Sequence, residues 1–245
     1  MANSPIGIAV LASEVAALQN LSDKLVIQGR NLSQGIVYAN EEILHSTVFS
    51  LISAGAVVSA GIKQFFAQKV GDNAPGLGFQ LTAAQTNWNG NGSALTETEA
   101  FVGLRVGFEA YIADPNNGQY LFPLADPKDL AALLYSTTWK WTEANLVARE
   151  QGVLADYPHG TGIFSSGAAA TAAATGVIAA SVQNGGPNAS MTETRIPVIW
   201  KPLVNYTHTA QQIYNVTLGT DGYDPSSKLL AVRMRVYGYR LSRFA

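Results

Sequence analysis

AFVGLRVGFEAYI, residues Ala100 to Ile112, and LLAVRMRVYGYRL, residues Leu229 to Leu241, both alternate in polarity. In the first, Val102, Leu104, Val106, Phe108 and Ile112 fall on one side and Arg105, Glu109 and Tyr111 on the other, because successive side chains of a strand point to opposite faces. In the second, Leu230, Val232, Met234 and Val236 oppose Arg233, Arg235, Tyr237 and Tyr239. One core face and one mixed face per strand is the pattern of antiparallel sheets packed in pairs, whereas parallel strands are apolar on both faces. This pattern predicts Val102, Leu104, Val106 and Phe108 in a sandwich core, with Arg105 and Glu109 outside. Glu109→Gln is then expected to cost little.

Working outward, short runs rich in Val, Ile, Phe and Tyr, punctuated by Gly and Asn, begin at Lys24 and continue to the end. Further candidate strands are Leu25 to Gln28, Gly35 to Ala39, Thr47 to Ile52, Ala56 to Gln68, Thr137 to Ala144, Ile196 to Leu203 and Gln212 to Leu218. Helices interrupt locally. Asp126 and Pro127, ahead of Leu130, Leu133 and Leu134, predict a capped helix. Gly167 to Ala180 is almost entirely Ala, Thr and Gly and reads as a helix or a surface excursion. At the start, Ser4 and Pro5 precede Ile6, Val10, Leu11, Leu18 and Leu21 among alanines, which predicts a helical N-terminal arm over residues 1–22, followed by a single domain over residues 23–245.

The 245 residues carry 13% charged side chains, about half the usual ~25%. So little charge leaves much neutral surface and predicts extensive contact between subunits. Fifteen Lys and Arg against seventeen Asp and Glu exclude a protein whose main task is neutralising nucleic acid. The absence of cysteine removes disulfides and thiolate chemistry together. The N-terminal stretch lacks the charged start and clean apolar run of a secretion signal, so synthesis in a cytoplasm is expected.

No constellation for catalysis emerges from the sequence. His45, His159 and His208 stand far apart without metal-ligand spacing, and read as satisfied surface or interface histidines. Ser165 and Ser166 lack a nucleophile elbow. Glu97 and Glu99 read as a solvated pair bordering a loop. Trp139 and Trp141 share a strand face, where packing is the common use. Trp88 or Trp200, presented on a loop, would suit a carbohydrate- or receptor-binding sandwich, the alternative function. One asymmetry remains: no acidic residue follows Asp224, while Lys228, Arg233, Arg235, Arg240 and Arg243 crowd the end of the chain. They form either a solvated strand face or a surface that approaches polyanion or a neighbour's carboxylates.

Several segments then line up in one order: FFAQKVG at Phe65, LTAAQTN at Leu81, EAFV at Glu99, YPHGTG at Tyr157, NGGP at Asn184, and the closing VRMRVYGYRLSR from Val232. This succession, over roughly residues 45 to 243, resembles the jelly-roll major capsid proteins of small tailless icosahedral bacteriophages. The resemblance implies an all-β fold, a jelly-roll β-sandwich of two four-stranded sheets with inserted loops and short helices. The candidate strands fall short of the about sixteen that a compact double jelly roll, the alternative, needs. It further implies a non-enzymatic virion protein, a shell subunit without cofactor, metal or small-molecule substrate. Its partners would be copies of itself, other virion proteins, and non-specifically the genome or an internal membrane. Ile6, Val10 and Leu18 of the arm, with Arg233, Arg235, Arg240 and Arg243, are the candidate contacts to another subunit or the inner shell.

Overall fold

The computed structural model of the chain describes residues 26–27, 30–31, 37–52, 57–119, 127–144, 149–157, 163–165, 182–184, 192–217 and 229–243. The expected N-terminal arm, the Gly167 to Ala180 segment, His159 and Asp126 lie outside them.

Among the described residues the chain is predominantly β. Its strands are β1 (Val26–Ile27), β2 (Arg30–Asn31), β3 (Val37–Leu51), β4 (Val57–Val58), β5 (Gly61–Phe65), β6 (Glu99–Ala113), β7 (Thr137–Glu143), β8 (Arg149–Val153), β9 (Ile163–Ser165), β10 (Val182–Asn184), β11 (Thr192–Trp200), β12 (Tyr206–Gln212), β13 (Val216–Thr217) and β14 (Leu229–Arg243). The helix α1 spans Pro127–Ser136, where the proline and leucine pattern predicts it, and Leu133 joins the core. Two four-stranded antiparallel sheets dominate. One has the order β11-β6-β14-β3, the other β5-β12-β7-β8. Three small pairs, β1 with β2, β4 with β13 and β9 with β10, complete the described strands.

The first sheet is organised around β14. It pairs with β3 along its whole length, from Leu229 opposite Leu51 to Arg243 opposite Val37, and with β6 on its other side. Its alternation behaves as the sequence predicts: Leu230, Val232, Met234 and Val236 are buried at 1, 7, 0 and 0% exposure. They share one core with Leu44, Val106 and Phe108 of the same sheet and with Phe65, Trp139, Tyr206 and Ala210 of the second sheet. The opposite face is partly roofed by the connection from β5 to β6. Ala74, Phe79 and Leu81 from that connection close a second cluster over Phe49, Tyr111, Leu229 and Ala231. Trp88 and Leu95 of the same connection turn instead into the main core.

β6 departs from the predicted alternation. Tyr237 of β14 lies opposite Arg105, but the next residue, Gly238, lies opposite Gly103, so Leu104 is an extra residue and β6 carries a bulge. Each residue before the bulge is therefore on the face opposite to the one strict alternation assigns it. Val106, Phe108 and Ile112 face the main core as expected. Val102 and Leu104 do not: they pack with Ala100, Leu241 and Tyr239 in a separate cluster, and Phe101 enters the core. The edge strand β11 is also irregular between Glu193 and Val198, around Pro197, a residue that edges and bulges tolerate.

Three other expectations change at their boundaries. The run Ala56 to Gln68 is two strands, β4 and β5, and the chain turns at Phe66 with a φ of 55°. Gly35 to Ala39 and Thr47 to Ile52 overlap one long strand, β3, continuous through the polar residues between them. The expected strand Gln212 to Leu218 holds only the end of β12 and the two-residue β13. Tyr206 to Gln212, which the sequence pattern does not mark, is a central strand of the second sheet whose buried positions, Tyr206, His208, Ala210 and Gln212, hydrophobic alternation does not reveal.

Gly238 holds the bulge. A Cβ there would lie 2.0 Å from the Val102 carbonyl oxygen and 2.9 Å from Gly103 Cα, backbone that has no rotamer to move. Gly238→Ala is expected to destabilise the chain by about 3 kcal/mol, an overpacking cost, while Gly61→Ala, with nothing within 4 Å of the added carbon, stays within about 0.5 kcal/mol of the parent. Urea titrations of the two variants followed by tryptophan fluorescence measure the difference, and equal midpoints would refute the packing described.

Candidate functional site

A cluster of charged and polar side chains lies on the roofed face of the first sheet. Registry makes it: Arg233 of β14 lies between Glu109 of β6 and Thr47 of β3, with Arg235 one step along the same face. Arg233 Nη1 donates to Glu109 Oε1 at 2.8 Å and Arg235 Nη2 to the same oxygen at 3.1 Å. Arg233 also donates to Thr47 Oγ1, the Tyr111 hydroxyl and the Ala84 carbonyl, and its guanidinium lies 5.0 Å from the Tyr111 ring centre. Farther along, Tyr237 donates to Glu41, and Arg105 lies over the Tyr237 ring at 5.3 Å. His45 receives its place from two loop residues: its backbone N–H donates to Asn87 Oδ1 and its Nε2 contacts the Ala83 carbonyl at 3.0 Å. Burial lowers the His45 pKa; the bond to Ala83 opposes this, and the Arg233 and Arg235 charges lower it further.

Arg240 belongs to the other face of β14, beyond the apolar core. Its Nε and Nη2 clamp Glu42 at 2.5 and 3.2 Å, and Nη1 reaches Glu99 at 3.2 Å and Asn89 Oδ1 at 3.0 Å. Burial alone would lower its pKa, but the bonds and charges of Glu42 and Glu99 outweigh it and hold the pKa above its ordinary value. Glu99 is thus an ion-pair partner and not half of a solvated pair with Glu97. The basic end of the chain finds carboxylates supplied by β3 and β6 of the same chain, which is why no acidic residue is needed nearby in sequence. Arg243 ends β14 opposite Val37, while Ile6, Val10 and Leu18 lie outside the described residues.

Glu109 is correspondingly not a freely solvated carboxylate: its side chain is 16% exposed and answers two guanidinium groups. The spacing of Glu109 from Arg233 in the sequence gives no hint of this contact, which exists only once β6 and β14 pair. A similar pairing that the sequence does not disclose joins Lys201 to Glu143 at 2.6 Å, with the Tyr206 hydroxyl donating to the same carboxylate. Burial raises the Tyr206 pKa, and Glu143 adds to the shift.

The aromatic residues are placed differently from the binding-module expectation. Trp88 and Trp200 are buried, at 1 and 0% exposure, inside the main core and not on loops at the surface. Trp139 and Trp141 pack there as their shared strand face predicts. His208 overturns the expectation of a satisfied surface histidine: it is fully buried between these tryptophans, and neither ring nitrogen has a hydrogen-bond partner. Among the described residues no group of three or more His, Asp or Glu is gathered to hold a metal ion, and none of the helices there is long and apolar enough to cross a membrane. Comparison of the chain with protein-family models, with curated proteins and with solved structures finds no match in any of the three.

The paired-arginine geometry makes Glu109→Gln a disruptive change. Removing the shared charge leaves two largely covered guanidinium groups without a carboxylate and is expected to cost about 2 kcal/mol, while Glu97→Gln, at an exposed position, stays within about 0.5 kcal/mol. Thermal and urea unfolding of the two variants checks this, and an Glu109 variant as stable as its parent would show that the network contributes nothing.

Proposed function

We propose that the chain is a single jelly-roll subunit of a virion shell, a major capsid protein that assembles with copies of itself around a genome. The observation that carries this reading is strand order. Taking β3, β5, β6, β7, β8, β11, β12 and β14 as first to eighth along the chain, one sheet runs sixth, third, eighth, first, and the other second, seventh, fourth, fifth. That interleaving of two sheets matches the double Greek key of a jelly roll, an architecture used by viral capsid and lectin domains. Eight strands in two four-stranded sheets favour one such unit over a double one.

The distribution of charge supports a shell over a polyanion-binding role. Arg233, Arg235 and Arg240 meet carboxylates inside the chain, and the chain as a whole carries a net charge of only −2. Large apolar side chains remain at the surface, among them Tyr135, Ile213 and Tyr214, with the Ile213 N–H donating to the Ser136 carbonyl and drawing these residues together beyond the end of α1. Contacts between subunits would then rest on apolar and backbone groups spread over large areas, not on ion pairs. The lectin-like alternative loses its main support, since Trp88 and Trp200 are core residues.

Electron microscopy and light scattering of the purified chain test the proposal. Closed particles are expected, and raising salt is expected to leave their size nearly unchanged, because the ~8 Å screening length at physiological ionic strength acts on exposed charges and little on buried apolar area. A chain that stays monomeric at high concentration in every condition, including in material from its native source, removes the capsid reading.

A further inference from the structure

We propose that His208 is an acid-sensitive latch inside the sandwich, so that protonating its ring loosens the packing of the two sheets. The inference stands on the core itself and does not require the shell reading. His208 occupies an inward position of β12, opposite Phe65 of β5 and Trp141 of β7. Its ring centre lies 4.9 Å from that of Trp200, 5.9 Å from Phe66, 6.0 Å from Trp139 and 6.3 Å from Trp141, nearly parallel to the last two. The residue is 0% exposed and neither nitrogen is hydrogen-bonded. A neutral imidazole is tolerated in such a place as an apolar ring; an imidazolium adds a charge and a second N–H donor with nothing to receive it.

Among the described residues the charged and titratable groups around this position do not offer a counter-ion. On β12 itself the only other titratable group among Tyr206–Gln212 is Tyr206. On β7, Lys140 alternates to the outer face and Glu143 is held by Lys201 and Tyr206. On β8, Arg149 lies opposite Trp141 and Glu150 opposite Lys140. On β5, Lys63 lies exposed opposite Ala210, and Lys69 is exposed beyond Phe66. Lys201, next to Trp200, is bound to Glu143. Tyr157 packs on Trp139, with Asp156 exposed beside it. From the facing sheet come Leu44, Val106, Phe108, Met234 and Val236, and the charged groups on that side, Glu42, Glu99 and Arg240, bind one another. Desolvation alone pushes the His208 pKa down to about 3.

The sign follows. An unfolded chain takes up the His208 proton near the ordinary value of 6.5, whereas the folded chain resists it until about pH 3. The stabilising effect of the neutral ring is therefore complete above pH 6.5 and is lost as pH falls below it, by up to about tenfold in the folding equilibrium for each pH unit.

The test is a series of urea titrations of the full chain and of His208→Phe between pH 7.5 and 4.5, read by tryptophan fluorescence. The parent is expected to lose about 100-fold more in its folding equilibrium than the variant over this range, a steeper slope of one proton per molecule. Identical pH profiles for two folded proteins would overturn the proposal. Should His208→Phe fail to fold at neutral pH, NMR of the histidine ring carbons in the parent decides. A His208 signal that keeps its neutral shift in every folded spectrum down to the acid transition supports the latch, and one that titrates near pH 6.5 within the intact fold refutes it.

Discussion

Every other contact in the first sheet depends on the double pairing of β14. A strand hydrogen-bonded on both sides cannot slip by one residue without turning its whole apolar set outward. Leu229–Arg243 is held in that way by β3 and β6 at once, and its two faces are unlike enough to make the register unambiguous: Leu230, Val232, Met234 and Val236 against Arg233, Arg235, Tyr237 and Tyr239. The constraint extends to its neighbours. Once Arg233 is fixed, Glu109 and Thr47 are delivered to it from strands whose sequences lie more than a hundred residues away.

Where β14 keeps its register, β6 gives way. The one extra residue at Leu104 lets Phe101 join the core and sends Val102 to the opposite cluster, and Gly238 makes room by omitting a side chain where two backbones meet. The apolar core spans the bulge, with Phe101 before it and Val106 and Phe108 after it, and Arg240, which pairs with Glu42 and Glu99, stands opposite Phe101. A sheet with strict alternation throughout would not keep Phe101 and Phe108 on the same face.

Low charge and a crowded aromatic core are two sides of one economy. Arg233, Arg235, Arg240 and Lys201 are committed to carboxylates within the chain, and the low charged fraction leaves much of the surface neutral. Inside, the tryptophans surround an imidazole that has no polar partner, so the core is tightly filled yet sensitive to a single proton.

The sequence by itself determined the strand-rich class, the inward faces of β14 and of the Val106 to Ile112 half of β6, and the helix at Pro127. Each of these is local: alternation every second residue, or a proline ahead of spaced leucines, is decided by side-chain direction along one element. Glycine inside a strand pattern can accompany a bulge, and Gly103 and Gly238 sit at this one, but the alternation that assigns the faces passes over it. The tertiary structure decided what depends on pairing between distant segments: which carboxylates meet the C-terminal arginines, and whether Trp88 and Trp200 lie inside or outside. It also decided that Tyr206–Gln212, polar at alternate buried positions, is a central strand. A fully buried His208 is legible only there, because its burial is set by Phe66, Trp139, Trp141 and Trp200, which come from other strands and turns.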